Sequence, residues 1–185
     1  MKKHDQKITY PLSIHDFGPF LKQQGLLYAG AEIGVAEGRS STEFMGWGFK
    51  KLYLVDMWAT IHGQAGDASN PQSWHDKNYE EVKERMTGKN AILLKGDSVA
   101  MADQVSDNSL GFVYIDANHS YEGAMRDLIA WTPKLKAGGI MAGHDYNSLY
   151  GVKKAVDEFT GGKAIKLPEQ AEENAGFYFY VDAIR

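Results

Sequence analysis

Five apolar runs in this sequence end in side chains that can do chemistry. Glu32 closes AGAE, Asp56 closes LYLVD, Asp97 follows ILLKG, Asp116 closes FVYID, and the pair His144–Asp145 closes GIMAGHD. Carboxylates at such positions can hold an ammonium group, sugar hydroxyls or a divalent cation. A neutral imidazole can accept a proton near pH 7. If the five runs are strands of one parallel sheet, all of these groups lie on one rim. That rim, beyond the carboxyl ends of the strands, is where open α/β sheets bind their ligands.

The stretch Leu26–Ser41, LLYAGAEIGVAEGRSS, sets up the first of these ends. Leu26, Leu27, Tyr28, Ala31, Ile33 and Val35 predict a buried strand, and Gly34 and Gly38 predict a tight turn where the backbone can approach a ligand. Ser40 followed by Glu43 has the spacing of a capping box at a helix start. A dinucleotide fingerprint would require G-x-G-x-x-G here. Ala36 stands where the middle glycine should be, and Glu32 would repel a phosphate. An acid beside an uncharged glycine turn instead suits S-adenosylmethionine, whose methionine end carries an ammonium group and whose sulfonium is cationic. The plainer alternative is a strand–turn–helix crossover with no ligand.

These residues need a scaffold, and the rest of the chain supplies one. Residues 1–13 read as a polar tail and Ile14–Gln24 as a short helix stopped by Gly25. A helix over about Ser41–Trp47 follows the glycine turn. Lys51–Asp56 is a second strand, and Asp56 lies 24 residues after Glu32, near the separation expected for a ribose-binding acid. Met57 and Trp58 offer soft or flat surface to a nucleobase; alternatively, Asp56 caps the next turn. The polar segment 57–73 reads as a lid. Trp74, Tyr79, Val82 and Met86 mark a helix, Ala91–Lys95 a third strand, and Gly96-Asp97-Ser98 its turn, where Ser98 alternatively caps the next helix. Leu110–Asp116 is the fourth strand. Ala124, Leu128 and Trp131 share a helical stripe closed by Pro133, and Ile140–Asp145 is the fifth strand. Val152, Ala155, Val156 and Phe159 mark a further helix. Ala164–Leu167 and Gly176–Val181 are successive strands with no helix between them. The pattern predicts a single α/β domain over 1–185: a doubly wound, mostly parallel sheet ending in an antiparallel hairpin.

Composition narrows the functional classes. A formal charge of −4 with no clustered lysines or arginines argues against nucleic acid or an anionic membrane as the partner. The absence of cysteine excludes thiolate metal sites, disulfides and cysteine nucleophiles. No apolar run has signal-peptide or membrane-spanning length, so a cytoplasmic protein is expected. Oligomeric state is left open, a homo-oligomer included.

With these segments in hand, the chain resembles class I S-adenosylmethionine-dependent methyltransferases. More narrowly, it resembles a small single-domain family carrying AEIGVAEGRSS, YLVDMW, GDS, FVYIDANHSYEG and GGIMAGHDY in this order, from about Leu26 to Phe159. The resemblance implies a Rossmann-like sheet of seven strands. It implies Glu32 and the turn Gly34, Ala36 and Gly38 at the methionine end of the cofactor, with Ser40 beside them. It implies Asp56 on the ribose hydroxyls, Met57, Trp58, Gly96, Asp97 and Ser98 around adenine, and Asp116 at the cofactor's edge.

The expected reaction is direct methyl transfer to a nucleophile, with O-methylation of a sugar or natural-product hydroxyl the leading reading. A hydroxyl acceptor needs a base, and His119 and His144 are the candidates; each could equally be hydrogen-bonded within its own turn. Related oxygen methyltransferases place acids on these strands around magnesium, so Asp116, His144 and Asp145 form a candidate Mg2+ site. His144 departs from the acid or amide that usually stands there. The acceptor, a small molecule, is expected between the 57–73 loop, the N-terminal helix and Tyr146–Tyr150, with Trp58, Trp74, Tyr146 and Tyr150 as candidate lining. A nicotinamide dehydrogenase is disfavoured by Ala36 and Glu32. A non-catalytic S-adenosylmethionine-binding module on the same fold is the remaining alternative.

Overall fold

The computed structural model describes residues 10–11, 13–63, 66–168 and 175–184. Most of the expected N-terminal tail, two residues of the 57–73 loop and most of the loop before the last strand lie outside these. Seven strands form one sheet in the order β3-β2-β1-β4-β5-β7-β6. They are β1 Gly30–Ile33, β2 Leu52–Asp56, β3 Ala91–Lys95, β4 Leu110–Ile115, β5 Leu135–Gly143, β6 Ile165–Lys166 and β7 Phe177–Tyr180. The strands β1 to β5 pair in parallel, whereas β7 is antiparallel to both β5 and β6. The doubly wound sheet with a terminal hairpin is therefore as the sequence predicts. The order reverses between β1 and β4, and that switch point opens a crevice beyond their carboxyl ends.

Helices α1 Phe17–Gln23, α2 Arg39–Gly46 and α3 Gln72–Met86 contribute to one apolar layer. Helices α4 Ser98–Ala102, α5 Tyr121–Trp131 and α6 Val152–Thr160 contribute to the other. Strand side chains alternate between the faces, so Phe112 and Tyr114 of β4 enter the first layer while Val113 and Ile115 enter the second. The same alternation sends Ala31 and Ile33 of β1 to the second layer and turns Glu32 toward the first. Phe112 anchors an aromatic cluster, with Phe17 at 5.4 Å, Trp47 at 6.0 Å and Phe44 and Phe49 at 6.2 Å between ring centroids.

Three boundaries differ from expectation. The first strand starts at Gly30 rather than Leu26, because the chain leaves α1 through Gly25 (φ +71°) and the Leu26 N–H still bonds the Leu21 carbonyl at 2.9 Å. Residues 26–29 are then needed to cross from helix to sheet. The Ser40–Glu43 capping box does not form: α2 begins at Arg39 with Gly38 in the left-handed conformation and no side-chain cap. Glu43 instead pairs with His15 at 2.8 Å. Strand β5 begins five residues earlier than expected, with its register shifting between Leu110 and Phe112. Among the described residues, no helix is long and apolar enough to cross a membrane.

Candidate cofactor and metal site

The glycine turn is held by its neighbours rather than by its own sequence. Gly34 has φ +92°, and a Cβ there would stand 2.1 Å from the Asp116 carbonyl oxygen. Only glycine lets the turn after β1 lie directly on the end of β4. Ala36 is also left-handed, at φ +46°, a conformation that costs a non-glycine residue of order 1 kcal/mol. The Asp56 carboxylate holds it there. One oxygen accepts the N–H groups of Val35 and Ala36, both at 2.9 Å, and the other accepts the Trp58 N–H at 2.7 Å. A carboxylate has about four acceptor positions, so one remains for a ligand.

Trp58 does not offer a face to a nucleobase. Its φ of +41° turns the side chain inward, where it is fully buried. Its indole N–H donates to the Ala36 carbonyl at 3.0 Å, and its ring packs 5.0 Å from that of Tyr79. Met57, 38% exposed, is the open side chain at this corner.

Glu32 is also deeper than its sequence position suggested. It is fully buried, and its two oxygens accept the hydroxyls of Ser40 and Ser41. Burial pushes its carboxyl up to about 8, against the two serine hydrogen bonds; the charges of Asp116 and Asp56 push it the same way. It therefore meets the turn through the half-buried Ser40 rather than facing open solvent.

At the end of β3, Asp97 caps α4 by accepting from Val99 N and Ala100 N, each at 3.2 Å. The Arg126 guanidinium stands 3.4 Å from the same carboxylate. Ser98 donates to Asp127, a buried acid of α5 whose carboxyl is pushed up to about 6 by burial, opposed by Ser98 and Arg126. Asp127 was not among the candidates from sequence. Its signal was an acid three residues after Ala124, on the apolar stripe of α5.

The ends of β4 and β5 bring four candidates together. His119 Nε2 lies 3.5 Å from an Asp116 oxygen and 3.2 Å from Asp145 Oδ2, while His144 Nδ1 lies 3.3 Å from that same Asp145 oxygen. Ligand atoms of Asp116, His144 and Asp145 all lie within 4.8 Å of one another. The backbone fixes this cluster. Asp116 N–H bonds Ile33 O at 2.7 Å, His144 N–H bonds Ile115 O at 3.2 Å, and Gly151 N–H bonds His119 O at 2.9 Å. Asp145 adopts φ +56°, and its carbonyl accepts the Asn147 N–H at 2.8 Å. Both imidazoles are held above their usual pKa, His119 by its bond to Asp116 and His144 by its bond to Asp145, in each case against burial. Tyr150, 47% exposed, packs against His119 with centroids 5.3 Å apart and the rings tilted by 60°. Tyr146, by contrast, is buried and donates its hydroxyl to Asp157, and Trp74 is half-buried against His75.

Sheet order converts these ends into a spatial sequence: Asp97, Asp56, the glycine turn, Asp116, then His144–Asp145. At about 4.8 Å per strand the rim spans roughly 19 Å. One extended ligand can therefore touch all of it.

A family model described as a methyltransferase domain matches residues 31–146. Among solved structures, the chain is similar to the O-methyltransferase NovP at 18% identity and a TM-score of 0.65, over 90% of this chain and 77% of that one. It is similar to an rRNA methylase from Streptococcus thermophilus at 15% identity and 0.63, over 95% and 98%. It is also similar to CalS11, a TDP-rhamnose 3'-O-methyltransferase of calicheamicin biosynthesis, at 19% and 0.54, over 91% and 81%. At these identities the structural likeness is one of fold. No curated protein matches the sequence. The domain match takes in more than half of the chain, from the glycine turn through both histidines, and the chain belongs to the methyltransferase-domain family as a class I S-adenosylmethionine-dependent methyltransferase.

Proposed function

We propose that this enzyme methylates a hydroxyl group of a small molecule, a sugar or natural-product intermediate, with a divalent ion at Asp116, His144 and Asp145. The observation that carries this reading is the convergence of two carboxylates and two imidazoles at the ends of β4 and β5, beside the Gly34 turn. An acceptor hydroxyl must lose its proton as it is methylated, and such a cluster can take it.

When bound, S-adenosylmethionine supplies an electrophilic methyl group on a sulfonium. The chain's own part is to hold it. The uncapped N-terminus of α2 and the Ser40 hydroxyl suit the methionine carboxylate. Asp116, packed on Gly34, suits the ammonium group. Asp56 would use its remaining acceptor position on a ribose hydroxyl, and the exposed Met57 with Gly96, Asp97 and Ser98 would hold adenine. Glu32 acts from behind, fixing Ser40. A divalent ion, when bound, supplies Lewis acidity that eases loss of the acceptor proton. With His144 on the ion, His119 is the imidazole left to take that proton, and Tyr150 with the 70%-exposed Leu149 would offer apolar surface to the acceptor. The formal charge of −4 supports a small acceptor over RNA.

Calorimetric titration of S-adenosylmethionine and S-adenosylhomocysteine, each with a chelator and again with a divalent ion, tests the cofactor assignment. One-to-one binding near the micromolar range, about −8 kcal/mol, is expected. No binding under any condition overturns it. Release of S-adenosylhomocysteine on incubation with hydroxylated acceptors tests the reaction; binding without turnover across sugars and phenols would leave the non-catalytic module as the better reading.

A further inference from the structure

We propose that the cluster at the ends of β4 and β5 is a mixed nitrogen–oxygen site for a first-row transition-metal dication, such as Co2+ or Zn2+, and not a magnesium site. The inference rests on the metal site proposed above and changes its occupant.

The donor set carries the argument. Magnesium takes oxygen ligands almost exclusively and keeps several waters. Imidazole favours zinc, iron, nickel and copper, and affinity at mixed sites rises along the first row from manganese toward copper. Here one of the three clustered ligands is His144, which brings an imidazole nitrogen within 4.8 Å of a carboxylate oxygen of each of Asp116 and Asp145. One ligand pair already stands at the separation a single ion would impose, and the whole set lies within 4.8 Å. Ligands about 2.0–2.1 Å from one ion stand roughly 3.0–3.4 Å apart, depending on geometry. The His144 Nδ1 to Asp145 Oδ2 separation is 3.3 Å.

The position of His144 is built rather than incidental. It directly follows β5, and its N–H is bonded to Ile115 at the end of β4. Asp145, with its side chain 8% exposed, has His119 and His144 as its ion-pair partners. His119 lies within reach of both carboxylates and orients them from outside, as partners of metal ligands commonly do.

The test uses the full chain, stripped of metal by a chelator and dialysed, without cofactor. Mg2+, Mn2+ and Co2+ are titrated separately by calorimetry, and the Co2+ form is examined by visible absorption, which reports its coordination geometry and shifts when an imidazole ligand is replaced by a carboxylate. The expected result is one site, with Co2+ at least about tenfold tighter than Mg2+ and Mn2+ between them. His144→Asp should erase the preference for Co2+ and strengthen Mg2+ binding; His144→Gln should weaken Co2+ without strengthening Mg2+. Circular dichroism of both variants confirms that they fold, and agreement between them excludes a fold effect. Mg2+ binding as tight as Co2+, unchanged Co2+ affinity in both variants, or no metal binding at all overturns the proposal. Cofactor titration in chelator is independent of all three outcomes, so failure here is distinguishable from failure of the methyltransferase reading.

Discussion

The carboxylate of Asp56 and the backbone of Ala36 form one unit. Asp56 Oδ2 accepts the Ala36 N–H at 2.9 Å and so holds a non-glycine residue at φ +46° in the turn after β1. The Ala36 carbonyl in turn accepts the Trp58 indole. The end of β2 thus builds the turn that follows β1. The acid expected to bind ribose also organises the pocket in which ribose would sit.

Replacing Asp56 by Asn removes an acceptor oxygen and sets an amide N–H2 against backbone donors. Leaving such groups unsatisfied costs about 1–3 kcal/mol. Asp56→Asn is expected to lower the denaturant midpoint accordingly and to weaken S-adenosylmethionine binding by more than tenfold. Equilibrium unfolding and calorimetry on the same sample check both. Lost affinity with unchanged stability would place Asp56 on the ligand alone.

Glu32 makes stability depend on pH with an unusual sign for an acid. Its folded-state pKa, about 8, lies above the unfolded value near 4.3. Its contribution is fully present below the unfolded value and is lost as pH rises toward 8, because the unfolded chain ionises first. Glu32→Gln accepts from one serine and donates to the other while removing the charge. The melting temperature of wild type should fall relative to Glu32→Gln between about pH 5 and pH 8. Parallel curves for the two proteins would show that Glu32 is ionised in the folded state throughout.

The sheet was legible because apolar runs, turn glycines and helical stripes agree along the chain. The apolar run of β4 and the hairpin of β6 and β7 follow from pattern alone. The strand-end residues were legible as a rim, because parallel strands all present their carboxyl ends on one side. Orientation within the rim was not. Nothing in the local pattern marks Trp58 as inward-facing, since its indole finds its partner at Ala36, 22 residues away. Ser40 carried a capping signature, but its hydroxyl goes instead to the buried carboxylate of Glu32, eight residues earlier on β1. Asp127 was hidden because its partner, Ser98, lies 29 residues away. Long-range pairs of this kind are set by packing, which periodicity does not report.

Asp145 couples the two histidines, and the coupling predicts a pH profile. A histidine acts as base only when neutral, so turnover should rise with pH through an imidazole pKa lying above 6.5. Asp145→Asn removes a negative charge that raises both values. The rising limb in kcat should therefore move to lower pH, and the histidine Cε1 proton resonances should titrate earlier. The same raised pKa values imply stability that is present below about pH 6.5 and lost as pH rises through them. Unchanged resonance titrations in Asp145→Asn would remove the carboxylate as the cause.

Gly34 offers the sharpest separation of fold from site. Its Cβ in a Gly34→Ala variant would meet the Asp116 carbonyl at 2.1 Å and the Ala117 nitrogen at 2.7 Å, both backbone atoms that cannot swing aside. The positive φ adds strain of order 1 kcal/mol. Relief requires the turn and the end of β4 to part, which displaces Asp116 from His119 and from the metal ligands. Gly34→Ala should lose about 2–4 kcal/mol of stability, more than a surface substitution and comparable to a core truncation. It should also lose metal and cofactor binding together, whereas Gly46→Ala, whose Cβ meets nothing within 4 Å, should retain both. Thermal melts and paired titrations of the two variants decide it: a Gly34→Ala protein that still binds Co2+ like wild type would mean that the turn and the metal cluster are positioned independently.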